Sequence, residues 1–297
     1  MRRILYMKKT KASELVMHGI FLIAACASVL AVALICIFLF ANGLPAIKEI
    51  GFFKFIFGKV WRASNGEYGI FPMILGSLYV TAGAIIVGVP IGILTAIFLA
   101  EFCPEKPYKI LKPAIDLLAG IPSIIYGYFG LRIIVPTVRD VFKSMGMQTD
   151  GNCILTASIV LGIMILPTII GVSETAIRAV PRTYYEGSLA LGADHERSVF
   201  FIQFPAAKSG VLAGVVLGIG RAVGETMAVV MVAGNQARVP TSALQGVRTL
   251  TANIVQEMGY ATGLSRQALI ATGVVLFVFV LLINLLFSAL RSKGTQT

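Results

Sequence analysis

Glu186–Pro205 reads EGSLALGADHERSVFFIQFP, and where this stretch sits decides how the rest of the chain is read. It is a polar, charged run between two strongly apolar segments, with a glycine in its middle and a proline at its end. Tyr184–Leu191 has helix-forming spacing, Gly192 can end that helix, and Asp194 can cap a second one. Val199, Phe200, Phe201 and Phe204 supply an apolar face. Two short polar-flanked helices with such a face need something to cover it. Either the base of the chain's own bundle or the groove of a partner would serve.

The surrounding chain is far more apolar. Of its 297 residues, 57% are hydrophobic and 13% are charged, and the mean hydropathy is +0.87. Soluble domains carry about 25% charged residues. The composition therefore indicates an all-α, polytopic membrane protein, with no polar block long enough to form a second domain. Six segments are long enough to cross a bilayer, which takes about 20 apolar residues each. They are 19–41, 69–100, 113–138, 151–173, 209–235 and 267–290. This divides the chain into an N-terminal tail (1–18), one transmembrane domain (19–290) that includes the loop 178–208, and a C-terminal tail (291–297). Ile23-Ala24-Ala25-Cys26 resembles a lipoprotein cleavage box, but the apolar run continues well past Cys26, so this segment is read as an uncleaved helix.

Six spans put both termini on one side. With the N-terminus inside, inner segments carry 14 Lys and Arg residues and outer loops carry 8. This bias places both termini and the loop 178–208 in the cytosol. The net charge of +11 follows this membrane asymmetry and does not call for a nucleic-acid partner. The four cysteines form no framework: Cys26 and Cys36 lie in the first apolar run, and Cys103 and Cys153 fall on opposite sides. No CxxC or Cys/His cluster suggests a metal.

The fifth segment reads SGVLAGVVLGIGRAVGETMAVVMVAGN. Gly210, Gly214 and Gly218 recur every four residues, and Gly220 and Gly224 repeat the spacing one step round. Such small residues let membrane helices approach closely. They serve either packing within this bundle or an interface with a second membrane subunit. Arg221 and Glu225, four apart, are expected on one helical face. An ionised group at mid-bilayer costs about 3 kcal/mol or more, so such groups pair or line an aqueous route. One reading is a self-neutralised pair that fixes packing. The other is a substrate path, in which the Arg221 fork suits an oxyanion and Glu225 tempers its affinity. Asp116 and Glu174 are expected at cytoplasmic helix ends, within reach of water.

No GxxxxGK[ST] phosphate loop, HExxH or GxSxG motif occurs. The chain is therefore expected to be no enzyme and to bind no cofactor; any ATP hydrolysis belongs to a partner.

The spacing of Glu186, Gly187, Ser188, Gly192, Ile202, Phe204 and Pro205 resembles the loop that ABC importer permeases press into their ATPase. The stretches Gly218–Val229 (GIGRAVGETMAV), Ala119–Gly127 (AGIPSIIYG) and Leu250–Gly259 (LTANIVQEMG) resemble phosphate permeases of the PstC type. The similarity covers most of residues 70 to 290. It implies six helices in the fold of the methionine-importer permeases, in a bacterial inner or plasma membrane. It also implies a heterodimer with an A-type sister permease, a dimer of ATPase subunits and an extracytoplasmic phosphate-binding protein. Arg221 and Glu225 become the expected phosphate-path residues, and Glu186, Gly192, Ile202 and Pro205 the expected ATPase-coupling residues. Gly187 and Ser188 stand where an alanine pair is usual, and Phe204 where leucine is usual. Gly187 should weaken its helix, since glycine costs about 1 kcal/mol relative to alanine.

Three alternatives remain at this stage. A molybdate or sulfate permease would share the fold. An ion-coupled secondary transporter would work alone and usually shows a hydropathy repeat, which is not seen here. A membrane scaffold or sensor would need no paired charges in a helix core.

Overall fold

The computed structural model describes residues 2–294, and the side chains of Glu14 and of residues 16–285. The helix α1 (Arg2–Ile50) leads into a short α2 (Phe52–Phe57) and a two-residue hairpin, β1 (Trp61–Arg62) with β2 (Glu67–Tyr68). Two long helices follow, α3 (Phe71–Ile97) and, after an interrupted segment, α7 (Ile154–Arg178). The interruption consists of α4 (Glu105–Gly120), α5 (Ser123–Phe129) and α6 (Val135–Ser144). A cluster of short helices comes next: α8 (Arg182–Ala190), α9 (His195–Ser198) and α10 (Phe204–Ala206). The chain then re-enters the bundle as α11 (Lys208–Gly224) and α12 (Met227–Val232), crosses α13 (Leu250–Met258) and ends in α14 (Gly263–Gly294).

Among the described residues, four helices are long and apolar enough to cross a bilayer: Val16–Ile50, Phe71–Phe102, Ile154–Arg178 and Gly263–Leu285. Two further pairs pass the same test only as bent units. Glu105–Gly120 joins Ser123–Ser144 at 99°, and His195–Ala206 joins Lys208–Gly224 at 69°, which makes up to six spans. The molecule is an all-α membrane protein.

At the centre, α7 packs against both α3 and α11. Ala84, Leu161, Met164, Ile165, Ile169, Ile219 and Val229 form the heart of the core there. A second cluster gathers Phe55, Trp61, Ile70, Met73 and Leu250 at the hairpin end of the bundle. A third gathers Leu99, Ile177, Val199 and Val211 at the end that carries α8–α10.

Two of the six expected segments are interrupted, the first at Pro122, which like Pro90 and Pro167 is a proline within a span that invites a kink. The segment 113–138 belongs to a bent unit, because Ile121 precedes Pro122 and adopts an extended backbone (ψ 126°), so α4 stops at Gly120. The segment 209–235 is also divided: α11 stops at Gly224, Glu225 is extended (ψ 134°), and α12 starts at Met227. By contrast, α3 and α7 run through Pro90 and Pro167.

Candidate functional site

The break between α11 and α12 is where the charged residues of the fifth segment lie. Arg221 is in the last turn of α11, and Glu225 is already outside the helix. The expectation that both share one helical face, paired, is therefore corrected. No ion pair joins them among the described residues, whose five salt bridges all lie elsewhere.

Glu225 instead bonds through one carboxylate oxygen and both of its backbone groups. Its carboxylate Oε1 accepts from the Ala228 amide at 3.1 Å, which satisfies a donor in the first turn of α12. Its own N–H donates to the Ala222 carbonyl at 3.3 Å. Its carbonyl accepts from the Thr251 hydroxyl at 3.0 Å. The carboxylate also lines a cavity of about 10 Å³ with Ser77, Thr81 and Thr249, which is room for about one water. Arg221 is half-buried, and among the described residues its guanidinium has neither a hydrogen bond nor a carboxylate partner. The Tyr126 hydroxyl donates to the Leu118 carbonyl at 2.8 Å, across the Pro122 break.

The glycines of α11 fall into two groups by what surrounds them. A Cβ on Gly210 would collide with the Ala176 side chain; one on Gly214 would lie 3.1 Å from Ser173 Oγ, and one on Gly218 would lie 2.8 Å from Ile169. These three seat α11 on α7. A Cβ on Gly220 or Gly224 would meet nothing within 4 Å. Around these two positions, near Arg221, the described residues leave room at the helix surface, with Gly220 half-buried and Gly224 exposed. A Cβ on Gly127 of α5 would likewise lie 2.9 Å from the Cα of Ala228 of α12.

At the other end, Arg182–Ala206 forms the helical cluster. Gly192 takes a left-handed backbone (φ +88°), which alanine would resist. Asp194 caps α9 through the Arg197 amide at 2.7 Å. Val199 turns inward and is fully buried, while Phe201 stays 71% exposed and Leu191 91% exposed. The apolar face is thus split: part covers the bundle's own base, and part is left open. Glu186, Gly192, Ile202 and Pro205 all lie on the exposed surface. His195 joins the cluster to the bundle, with Nδ1 2.9 Å from the Tyr185 hydroxyl and its ring edge-on to Phe102 at 4.8 Å.

Beneath this cluster lies a buried ionic lattice that the sequence reading missed. Glu174 was expected to reach water, yet it is only 2% exposed. It accepts from Tyr108 at 2.7 Å and Arg178 at 3.0 Å, and pairs with Lys112 at 3.1 Å. Lys112 also pairs with the exposed Asp116 at 3.2 Å. Arg178 donates to the Leu99 carbonyl at 2.7 Å and covers the Tyr108 ring at 4.7 Å. Tyr108 and Lys112 sit four apart on α4, a spacing that puts both on one helical face; only the tertiary fold reveals what that face meets.

A third set of polar contacts ties the hairpin end to the break. Ser77 of α3 accepts from the Leu250 amide at 2.9 Å, and Thr249 caps α13 through the Ala252 amide at 3.2 Å. At the far end of α13, Glu257 accepts from Arg248 at 2.7 Å and from the Trp61 indole at 2.8 Å. These residues were also missed; the Thr249-x-Thr251 pair before an apolar turn was the available signal.

Comparison with known proteins gives a consistent family. Residues 88–293 match the family described as binding-protein-dependent transport system inner membrane component. The chain is 38% identical over 283 residues to a probable ABC transporter permease protein, YqgH, of Bacillus subtilis, covering 91% of this chain and 90% of that one. It is 36% identical to the phosphate transport system permease protein PstC of Mesorhizobium japonicum, covering 84% and 81%. Among solved structures it resembles the inward-facing MetNI methionine ABC transporter (TM-score 0.57, 20% identity, 74% of this chain and 93% of that one). It also resembles a bacterial alginate ABC transporter (TM-score 0.62, 16% identity, 91% and 94%). The fold is that of the importer permeases.

Proposed function

The chain belongs to the binding-protein-dependent importer permeases, of the PstC type, and from that premise we propose that it forms, with a sister permease, the route by which inorganic phosphate enters the cell. The observation that carries this reading is Arg221: a half-buried guanidinium at a helix break, with no partner among the described residues. A cation kept at membrane depth without a counter-ion is available to a passing oxyanion, and its fork of donors matches oxygen geometry. Several relatives, including those from Mesorhizobium japonicum and Haemophilus influenzae, carry phosphate transport in their names.

In this reading Glu225 tempers the site, but from the break and not from the face of the helix. Its carboxylate occupies the start of α12, so it shapes the break and lends it negative charge. That charge weakens the hold of Arg221 on an anion, and a conducting site needs binding weak enough to release.

In this reading the membrane orientation follows the lysine and arginine bias, with both termini in the cytosol. The cluster Arg182–Ala206 then faces the ATPase dimer and offers it Glu186, Ile202, Pro205, Leu191 and Phe201. ATP closes the nucleotide-binding dimer, the cluster moves with it, and the lattice under Glu174 passes that motion to α4 and α7. The sister permease covers the open Gly220–Gly224 side of α11. The binding protein releases phosphate over the hairpin end.

Uptake of labelled phosphate into vesicles that hold all four components tests the proposal. The expected result is uptake that needs ATP and resists excess molybdate and sulfate. Preferential uptake of either competitor would keep the permease and remove phosphate as its cargo; uptake without ATP would remove the importer mechanism itself.

A further inference from the structure

The break at Glu225 is held from outside its own segment, and the residue that holds it is Thr251. A helix that ends within a bundle leaves its last carbonyls without intrahelical partners, and buried carbonyls must be satisfied elsewhere. Here the Thr226 hydroxyl turns back to the Gly224 carbonyl at 3.3 Å, and the Glu225 carbonyl is taken by Thr251 at 3.0 Å. Thr251 is 7% exposed, so water does not compete freely for that bond. Its Oγ1 also lies 3.0 Å from Thr249 Oγ1.

Thr251 does not float on a loop. It sits in the first turn of α13, whose start is fixed twice, by Ser77 of α3 at the Leu250 amide and by the Thr249 cap. The other end of α13 is fixed through Glu257 to Trp61 of the hairpin and to Arg248. Arg248 in turn reaches Asn253 Oδ1 at 3.1 Å and the Asn235 carbonyl at 3.3 Å. A continuous series of directional bonds thus runs from the hairpin, along α13, to the backbone of Glu225, one turn from Arg221.

We infer that Thr251 is a positioning residue for transport: through its hydroxyl, α13 sets the angle of the α11–α12 break and thereby the placement of Arg221 and Glu225. The inference rests on the reading of Arg221 and Glu225 as path residues. A shift of α13, by contact at the hairpin end, would move the break without any side chain of α13 touching the cargo.

Thr251→Val keeps the shape and removes the donor; Thr251→Ser keeps the donor. In the complete reconstituted complex, Thr251→Val is expected to lower maximal phosphate uptake about tenfold, the rate equivalent of one lost hydrogen bond. The binding-protein concentration for half-maximal uptake should stay unchanged, and Thr251→Ser should restore uptake to within about twofold. Ser77→Ala, which loosens the start of α13 without touching Glu225, should reduce uptake in the same sense by a smaller factor. ATP hydrolysis stimulated by the binding protein is measured alongside, because it reports the latch whatever the anion. If phosphate is not the cargo, uptake is absent already in the unmodified complex, yet stimulation should still fall in Thr251→Val and return in Thr251→Ser. Unaltered stimulation and uptake in Thr251→Val would overturn the inference, as would equal losses in Thr251→Val and Thr251→Ser.

Discussion

Two charged clusters lie inside this bundle, and they are built on opposite plans. Around Glu174 one buried carboxylate meets Tyr108, Lys112 and Arg178, and the arginine goes on to a backbone carbonyl and an aromatic face. At the α11–α12 break the carboxylate of Glu225 is spent on the protein's own backbone, and Arg221 is left over. A cluster whose charges are matched within the chain has no spare cation to offer a ligand. A cluster with a spare cation retains the capacity to bind something that comes and goes.

The contrast is tested first on the saturated side. Glu174→Gln removes the negative charge and leaves Lys112 and Arg178 facing each other. Breaking a buried pair costs about 3 kcal/mol, and the partial exposure of Lys112 and Arg178 places this site at the lower end of that range. Thermal unfolding of the purified chain should show a clearly lowered midpoint, and less protein should reach the membrane. A variant as stable as the parent would mean that the lattice is incidental.

The glycines of α11 sharpen the comparison on a smaller scale. Gly218→Val forces side-chain atoms into Ile169 and should destabilise the isolated chain by about 2 kcal/mol, a typical overpacking cost. At Gly220 a Cβ meets nothing within 4 Å, so with Gly220→Val the isolated chain should unfold nearly as before. Co-purification with the sister permease should fall instead. Equal thermal effects of the two substitutions would erase the distinction between the sealed and open sides of the helix.

The smallest effect is expected at the hairpin. Trp61→Phe keeps an aromatic ring but removes the pyrrole half of the indole with its donor to Glu257, together worth about 1.5 kcal/mol. Thermal unfolding should shift slightly, with uptake nearly intact. A loss of uptake as deep as that of Thr251→Val would move the control of the break from α13 to the hairpin.

Much of this architecture could be read from residue order. Uncharged runs such as 69–100 and 151–173 announce themselves by length, and a four-residue glycine period announces close helix approach. Gly192 and Asp194 mark a helix end and a cap by their chemistry alone. The division of the fifth segment was less visible, because no proline marks it. Gly224 weakens the helix there, and Glu225 lies three residues before the amide it accepts from, a capping relation that only a broken helix reveals. The burial of Glu174 was not visible, since Tyr108 and Lys112 lie more than sixty residues away in sequence. Likewise, the glycine period showed that two faces approach something, but not that one meets α7 and the other is open. The stretches Ala119–Gly127, Gly218–Val229 and Leu250–Gly259 suggested a family by their residue types. The structure adds that they converge: Gly127 packs on Ala228, and Thr251 holds the Glu225 carbonyl.

The central claim is that Arg221 serves the cargo and not the fold. Arg221→Gln keeps a polar side chain with N–H donors, though a shorter one, and removes its charge. Its thermal unfolding midpoint and its uptake of labelled phosphate in the complete complex should be measured on the same preparation. The account expects an unchanged midpoint with uptake reduced at least about a hundredfold, the scale of losing one charge-assisted interaction at a transport barrier. A lowered midpoint with a proportionate fall in uptake would make Arg221 a structural residue, and normal uptake would contradict the account outright.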